Sequence, residues 1–247
     1  MSIPVDDPTS LSRLFHLNSE PWLNEEAYRA APYVQEVRSY PDAPRTRLPA
    51  APDGAVQTLA ARRRSVRAFA PAPLPLATLA AMLRATYGVL GPDPMQGGGR
   101  FLRRAVPSAG GLYPLELYLL VNRVAGVAPG IYHVDAIGEA LEQVSDAPWQ
   151  SGAAEIFYTW PFVEQAPVIL CLGAVFGRAQ KKYGPRGYRY ILLEAGHAAQ
   201  NLCLAAAEAG LDTLCMGGYR DMALNRLIGL EAPAEGVVYT IALGTAA

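Results

Sequence analysis

The stretch RYILLEAGHAAQNLCLAAAEAGLDTLCMGG, Arg189 to Gly218, decides how the chain is read. Ile191, Leu192, Ala195, Ala198, Ala199, Leu202, Ala205, Ala206 and Ala209 recur at helical spacing and cover a broad face, which predicts a long helix over Arg189–Ala209. Gly210 caps it, because glycine takes the left-handed conformation that stops a helix. Thr213–Met216 is then a short strand that runs into Gly217-Gly218.

Working outward, Asp221–Leu230 reads as a short helix and Val237–Leu243 as the last strand. Val168–Ala174 is a near-continuous apolar run with Val and Ile, the pattern of a central strand. Leu115–Val121 and Gly130–Val134 are further strands. Leu76, Leu79, Met82, Leu83 and Tyr87 fall on one helix, with Pro75 at its start and Gly88 at its end. A short helix over Val56–Arg63 precedes it, and Gly91–Gly99 is a Gly/Pro-rich loop. Strands and helices intermix without clean βαβ repeats, so the expected class is α+β.

Residues 1–55 differ from the rest. Eight prolines, from Pro4 to Pro52, break any sustained periodicity. Leu14, Phe15, Trp22, Tyr28, Tyr33 and Tyr40 supply apolar anchors. We read this stretch as an extended arm that wraps a core, with one short helix near Asn24–Ala30, and residues 56–247 as the core domain. The chain has 247 residues, 21 Lys and Arg against 22 Asp and Glu, and a net charge of −1, a balance that gives no electrostatic footprint for nucleic acid. At 51% hydrophobic and 17% charged it is not a disordered chain. The longest uncharged apolar run, roughly Ala166 to Gly177, falls short of the ~18–20 residues that span a bilayer. No signal peptide is visible at the start. Cys171, Cys203 and Cys215 sit among apolar residues and form no even disulfide set, so reduced thiols and a cytoplasmic location are expected.

Five segments could carry chemistry. Arg62-Arg63-Arg64-Ser65-Val66-Arg67 gathers guanidinium forks and a hydroxyl that suit a phosphate, or it is a solvated basic helix end. Pro107–Pro114 holds Ser108 and Gly110-Gly111 before a strand, where a backbone could approach a flat ligand, or it is an ordinary turn. Met216-Gly217-Gly218 could aim backbone N–H groups at a ligand, or form a plain left-handed turn. Lys181–Arg189 contains Lys182 and Tyr183, groups suited to general acid–base work, or is an exposed polar loop. Glu194, His197 and Asn201 share one helix face, and are read as structural. The chain contains no GxGxxG after a first strand, no P-loop, no HExxH, no CxxC pair and no GxSxG elbow, so nucleotide hydrolysis, zinc catalysis and α/β-hydrolase chemistry are disfavoured, and no metal site is expected.

The segments RRSVRAF (63–69), PSAGGLYPLELY (107–118), GIYHVD (130–135), KYGPRGYRY (182–190) and LEAGHAAQN (193–201) occur in this order. In that combination the chain closely resembles the SagB-type dehydrogenase branch of the nitroreductase superfamily, over roughly residues 56–245. This branch includes the azoline oxidases of thiazole/oxazole-modified peptide biosynthesis and oxidase domains of some peptide synthetases. The resemblance implies a nitroreductase-like fold, with a central mixed or antiparallel sheet flanked by helices. It implies an intertwined homodimer with FMN at the subunit interface. Arg63, Arg64, Ser65 and Arg67 match the segment that holds the FMN phosphate and ribityl chain. Ser108 and Gly110 match the segment that reaches the flavin from the partner subunit. Met216, Gly217 and Gly218 match the stretch against the isoalloxazine ring. Lys182-Tyr183 matches the pair regarded as catalytic in azoline oxidases, although Lys181 leaves open which lysine faces the flavin. Many nitroreductases carry a basic residue near the C-terminus; the last residues here, IALGTAA, carry none, so the Arg cluster must bear more of the phosphate charge.

The expected function is therefore FMN-dependent oxidation of a thiazoline or oxazoline to the azole in a peptide-derived substrate. A biosynthetic complex with a cyclodehydratase or a peptide synthetase is the expected setting. The rival enzyme is an NAD(P)H-dependent nitro or quinone reductase, or another FMN-dependent natural-product oxidoreductase. A third possibility is a non-catalytic scaffold of a synthetase complex, against which the Arg and Gly-Gly segments argue.

Overall fold

The computed structural model describes residues 10–19, 37–50, 52–93 and 102–247. The helix expected near Asn24–Ala30 lies outside these residues. The arm contributes a helix that was not expected, α1 (Ser10–Asn18). It is held through polar and ring contacts rather than by Leu14, which is exposed. Gln180 donates to Ser12 Oγ at 2.7 Å, His16 Nδ1 lies 3.0 Å from Tyr188 Oη, and the His16 ring meets Phe176 edge-on. Burial lowers the pKa of His16, which favours the neutral ring in this position.

The first part of the core runs α2 (Ala55–Arg62), β1 (Leu74–Pro75), α3 (Leu76–Tyr87), β2 (Val89–Pro92), β3 (Leu102–Arg104), β4 (Leu115–Val121), β5 (Val124–Ala125), β6 (Gly130–Asp135) and β7 (Ala140–Ser145). Two short helices follow, α4 (Gln150–Ile156) and α5 (Trp160–Val163), then β8 (Val168–Val175), α6 (Phe176–Tyr183) and α7 (Arg186–Glu208). The chain closes with β9 (Asp212–Met216), α8 (Asp221–Ile228) and β10 (Glu235–Gly244). Six strands form one sheet in the order β7-β6-β4-β8-β10-β9, and each of its ladders is antiparallel. The α+β reading holds, and of the mixed-or-antiparallel alternatives these ladders are the second. Among the described residues a parallel element enters at the margins, as the Ser65–Thr213 bridge and the β1–β5 pair.

Strand alternation sorts the apolar residues into two layers. Leu115, Leu117, Leu119 and Val121 of β4, with Leu170 and Leu172 of β8 and Ile241 of β10, face α3 and α7. Leu120, Ile169, Cys171 and Ala242 point the other way, onto α4, α5 and α8. Because both faces are covered, β8 is apolar at every position, as its unbroken run predicted. The register sets Leu115 opposite Ala174, which in turn faces Gly236, while Met216 pairs with Thr240 on the outer strand.

Several elements differ from expectation. Gly91 and Pro92 belong to β2, where Gly91 sits at φ +114° beside a register shift, and the rest of the expected loop beyond Asp93 lies outside the described residues. The segment Lys181–Arg189, weighed as an exposed loop, is the end of α6 and the start of α7, broken only at Gly184 (φ +56°) and Pro185. α7 therefore starts three residues before Arg189.

One buried polar group ties α3 and α7 to the start of β4. Glu194 of α7 is 2% exposed and accepts a 2.6 Å hydrogen bond from Tyr87 Oη of α3. Tyr87 Oη also accepts from Leu115 N–H at 3.3 Å, which fixes the start of β4. Burial raises the Glu194 pKa, opposed by hydrogen bonds from Ser108 and Tyr87 and by the charge of Arg104. The Arg104 guanidinium lies over the Tyr87 ring at 4.6 Å. Tyr87→Phe removes the donor and strands an acceptor in the core. Removing one partner of a buried polar group costs roughly 1–3 kcal/mol, so this variant should lose about that much stability in urea unfolding. An unchanged midpoint would show that Glu194 does not depend on this bond.

Candidate active site

The basic segment is laid against the outer strand of the sheet. α2 ends at Arg62, and Arg63 leaves the helix with φ −57° and ψ 127°. Ser65 bridges Thr213 of β9 in parallel fashion, and Val66 N–H donates to the Thr213 carbonyl at 3.0 Å. Arg64 closes a two-point pair with Asp212, at 3.1 and 3.0 Å, and Asp212 is buried. Its fork is thus spent on holding the segment to β9. Arg63 donates to Ser65 Oγ at 3.2 Å, and Arg67 is exposed without an ion pair or hydrogen bond among the described residues. Immediately after Arg67 the chain pairs with its C-terminal residues, through Ala70 N–H to Thr245 O at 2.9 Å and Ala247 N–H to Ala68 O at 3.2 Å. The cationic segment is thereby held on both sides.

At the other end of β9, Met216 is buried, accepts a contact from Thr159 Oγ1 on its sulfur at 2.9 Å, and gives its carbonyl to Thr240 Oγ1 at 3.0 Å. Neither Gly217 nor Gly218 has a positive φ, so the plain left-handed turn is not what these glycines make. A Cβ built on Gly217 meets nothing within 4 Å, and one on Gly218 reaches only the Tyr158 ring, at 3.8 Å. The strand therefore ends in an open backbone surface at the end opposite the Asp212 and Thr213 contacts of the basic segment.

A second cluster forms where β4 begins. Ser108–Leu112 makes a tight turn in which Gly110 (φ +65°) and Gly111 (φ +64°) are left-handed, and Tyr113 follows at φ +45°. A positive φ on a tyrosine is costly and needs outside support. Tyr113 N–H donates to Ser108 Oγ at 2.9 Å, its Oη accepts from Arg104 N–H at 3.0 Å, and its carbonyl accepts from Arg178 at 3.3 Å. Ser108 also hydrogen-bonds to Glu194, so its hydroxyl is used within the fold. Lys182 and Tyr183, on the last turn of α6, come to this turn. A Cβ on Gly110 would sit 2.6 Å from both Lys182 Nζ and Tyr183 Oη, which places the two groups no more than about 5 Å apart. The lysine at the turn is Lys182. Tyr183 is braced edge-on by Tyr190 at 5.1 Å.

The two groups lie toward different ends of α7. Lys182 and Tyr183 adjoin the start of α7, whereas Arg63 lies close enough to Cys203, far along that helix, to act on its thiol. At ~1.5 Å per residue, Arg186 and Cys203 stand about 25 Å apart. The other flagged residues of α7 are structural or exposed. Asn201 donates to the Ala85 and Ala105 carbonyls at 3.1 and 3.0 Å, and His197 is exposed. Local spacing carried no signal for Asp212 as the partner of Arg64 or for Arg104 as the cation over Tyr87. Among the described residues no group of three or more His, Cys, Asp or Glu could hold a metal, and no helix is long and apolar enough to cross a membrane.

The nitroreductase family model matches residues 60–245, which is most of the chain. The chain belongs to the nitroreductase family. That membership places it among oxidoreductases. It is 34% identical over 170 residues to the nitroreductase MJ1384 of Methanocaldococcus jannaschii, covering 69% of this chain and 82% of that protein. It is 32% identical over 143 residues to the microcin B17-processing protein McbC of Escherichia coli, covering 53% of this chain and 50% of McbC. The chain thus spans about half the length of that relative. Among solved structures, the Escherichia coli microcin synthetase McbBCD complex with truncated pro-MccB17 bound contains a chain that superposes with a TM-score of 0.59 at 23% identity, over 100% of this chain and 84% of that one. A nitroreductase from Desulfovibrio desulfuricans in complex with FMN superposes with a TM-score of 0.55 at 16% identity, over 80% of this chain and 88% of that one. Both likenesses bear out the nitroreductase-like fold.

Gly110 is constrained twice, by its backbone and by its neighbours. The left-handed conformation costs a residue with a Cβ roughly 1–2 kcal/mol, before the displaced amine and phenol are considered. Gly110→Ala should therefore lower the urea midpoint by at least that cost and shift the near-ultraviolet signal of Tyr183. A variant as stable as the parent would mean that the turn relaxes and does not hold the pair.

Proposed function

We propose that this chain is an FMN-dependent dehydrogenase that oxidises thiazoline or oxazoline rings to azoles in a peptide-derived substrate, with each flavin held between two copies of the chain. The observation that carries this reading is the convergence of Lys182 Nζ and Tyr183 Oη on the Gly110 backbone. A reductase of nitro compounds or quinones has less need of a placed amine–phenol pair. Support also comes from McbC, a microcin-processing protein, as a relative.

The residues present fit FMN. Arg63 and Arg67 bring two guanidinium groups, and Ser65 a hydroxyl, to an edge where Arg64 is already paired. Such forks suit a phosphate dianion. The bare backbone at Gly217 leaves room for a flat ring. Lys182 and Tyr183 adjoin the start of α7 while Arg63 lies near Cys203, about 25 Å further along it, which supports a reading in which a second copy supplies the pair.

Bound FMN would supply a hydride acceptor that oxygen could regenerate, releasing hydrogen peroxide. The chain's own part is the proton. Aromatisation breaks an acidic C–H bond next to the hydride-bearing carbon, and Lys182 and Tyr183 together receive that proton. Gly110 lets both heads approach the backbone, and the 5.1 Å packing of Tyr190 fixes the phenol ring. The strained Ser108–Tyr113 turn, held by Glu194, presents them to substrate. A peptide substrate and a biosynthetic complex follow from the same reading.

Lys182→Ala and Tyr183→Phe should keep flavin content but slow oxidation of an azoline peptide by about 10²–10⁴-fold, the usual contribution of a general base. Near-wild-type turnover by both would remove the pair from the mechanism, and NADPH-driven quinone reduction without azoline oxidation would establish the reductase instead. Arg67→Ala should weaken FMN by about tenfold or more while leaving riboflavin affinity unchanged, since only FMN presents the phosphate. Equal losses for both ligands would return Arg67 to the solvated surface.

A further inference from the structure

Two of the three cysteines stand together, outside the residues that the proposed reaction uses. Cys203 lies on α7 and Cys215 on β9, the two elements joined through the Gly210 turn, and their sulfurs are 3.6 Å apart. The third, Cys171, is fully buried in β8 and belongs to the core layer on the opposite face of the sheet.

The surroundings of the pair favour sulfur chemistry. Thr213 Oγ1 donates to Cys203 Sγ at 3.4 Å, and Arg63 supplies a positive charge nearby. The hydrogen bond shared with Cys215 lowers the Cys203 pKa most, with Thr213 and Arg63 adding to it against the effect of burial. Cys215 moves the other way, because it keeps the shared proton. The arrangement sets a thiol of lowered pKa in contact with a second thiol that can resolve it. A disulfide needs sulfurs about 2.05 Å apart, so closure takes a sulfur movement of about 1.5 Å, within reach of small side-chain rotations. Cys215 is partly exposed, which gives a small oxidant a way in.

We propose that Cys203 and Cys215 form a reversible disulfide within one chain, with hydrogen peroxide as the oxidant. The Cys203 thiolate attacks the O–O bond, becomes a sulfenic acid and releases hydroxide, which takes up a proton. The Cys215 sulfur, losing its proton, then displaces the sulfenic oxygen as water. Two thiols and one hydrogen peroxide become one disulfide and two waters. A dithiol reductant reverses the change. The bridge joins β9 to α7 one residue before Met216, and so ties the approach to Gly217-Gly218. Flavin reoxidation would produce the peroxide in the same molecule under the proposed function; the thiol chemistry stands without it.

The test treats the purified protein with a small excess of hydrogen peroxide, alkylates it after denaturation, and maps its peptides without reductant. The expected result is loss of two of the three thiols, a cross-linked pair of peptides carrying Cys203 and Cys215, an alkylated Cys171, and recovery of all three thiols with dithiothreitol. Cys215→Ser should leave Cys203 as a sulfenic acid that dimedone captures. Retention of both thiols under the same peroxide would overturn the proposal. So would a Cys203 sulfinic acid beside an alkylated Cys215, or a bridge formed only between chains.

Discussion

A carboxylate buried in an apolar core has to be given donors, and the solution found for Glu194 organises the structure. Its oxygens take a 2.6 Å hydrogen bond from Tyr87 and a further one from Ser108. That draws three separate pieces, α3, α7 and the turn before β4, onto one group. Leaving a charged group unpaired in such a place costs more than most single contacts contribute, so the three pieces are fixed together. The turn so held contains Gly110, the place where Lys182 and Tyr183 meet the backbone. That meeting point rests on a structural carboxylate that itself touches neither head group among the contacts observed.

A second constraint is length. α7 is a rigid rod of 23 residues, or about 35 Å, and the two sets of candidate groups lie toward its opposite ends. The Arg63–Arg67 segment is fixed to β9 by the Arg64–Asp212 pair and by the Ser65–Thr213 bridge, so it cannot swing to the other end. Under the proposed function, a cofactor that uses both sets is shared between two copies.

The regular core was legible because burial writes periodicity into the chain. α3 and β4 have the bounds that Leu76–Tyr87 and Leu115–Val121 suggested, and β8 runs one residue past Val168–Ala174. What the pattern hid lies where burial is partial. β7 (Ala140–Ser145) is an edge strand with no fully buried position, so it shows no alternation. α6 carries Lys181, Lys182 and Tyr183 on a short amphipathic turn that reads as loop until its apolar residues, Phe176 and Ala179, are seen against α7. The contacts that shape the site were the least legible. Arg64 and Asp212 are 148 positions apart, and Tyr87 and Glu194 are 107 apart. The family resemblance pointed to the site residues, but only the geometry shows that Arg64 and Ser108 have side chains already engaged and that Lys182 rather than Lys181 meets Gly110.

The claim that one flavin is served by two copies can be tested by mixing. A chain carrying Arg63→Ala and Arg67→Ala and a chain carrying Lys182→Ala and Tyr183→Phe should each be inactive in azoline oxidation. When the two are co-expressed in equal amounts, half of the dimers are mixed, and one of the two sites in each mixed dimer is intact. The account predicts about a quarter of the wild-type activity. Activity no higher than that of the separate variants, from a preparation shown to contain the mixed dimer, would contradict it.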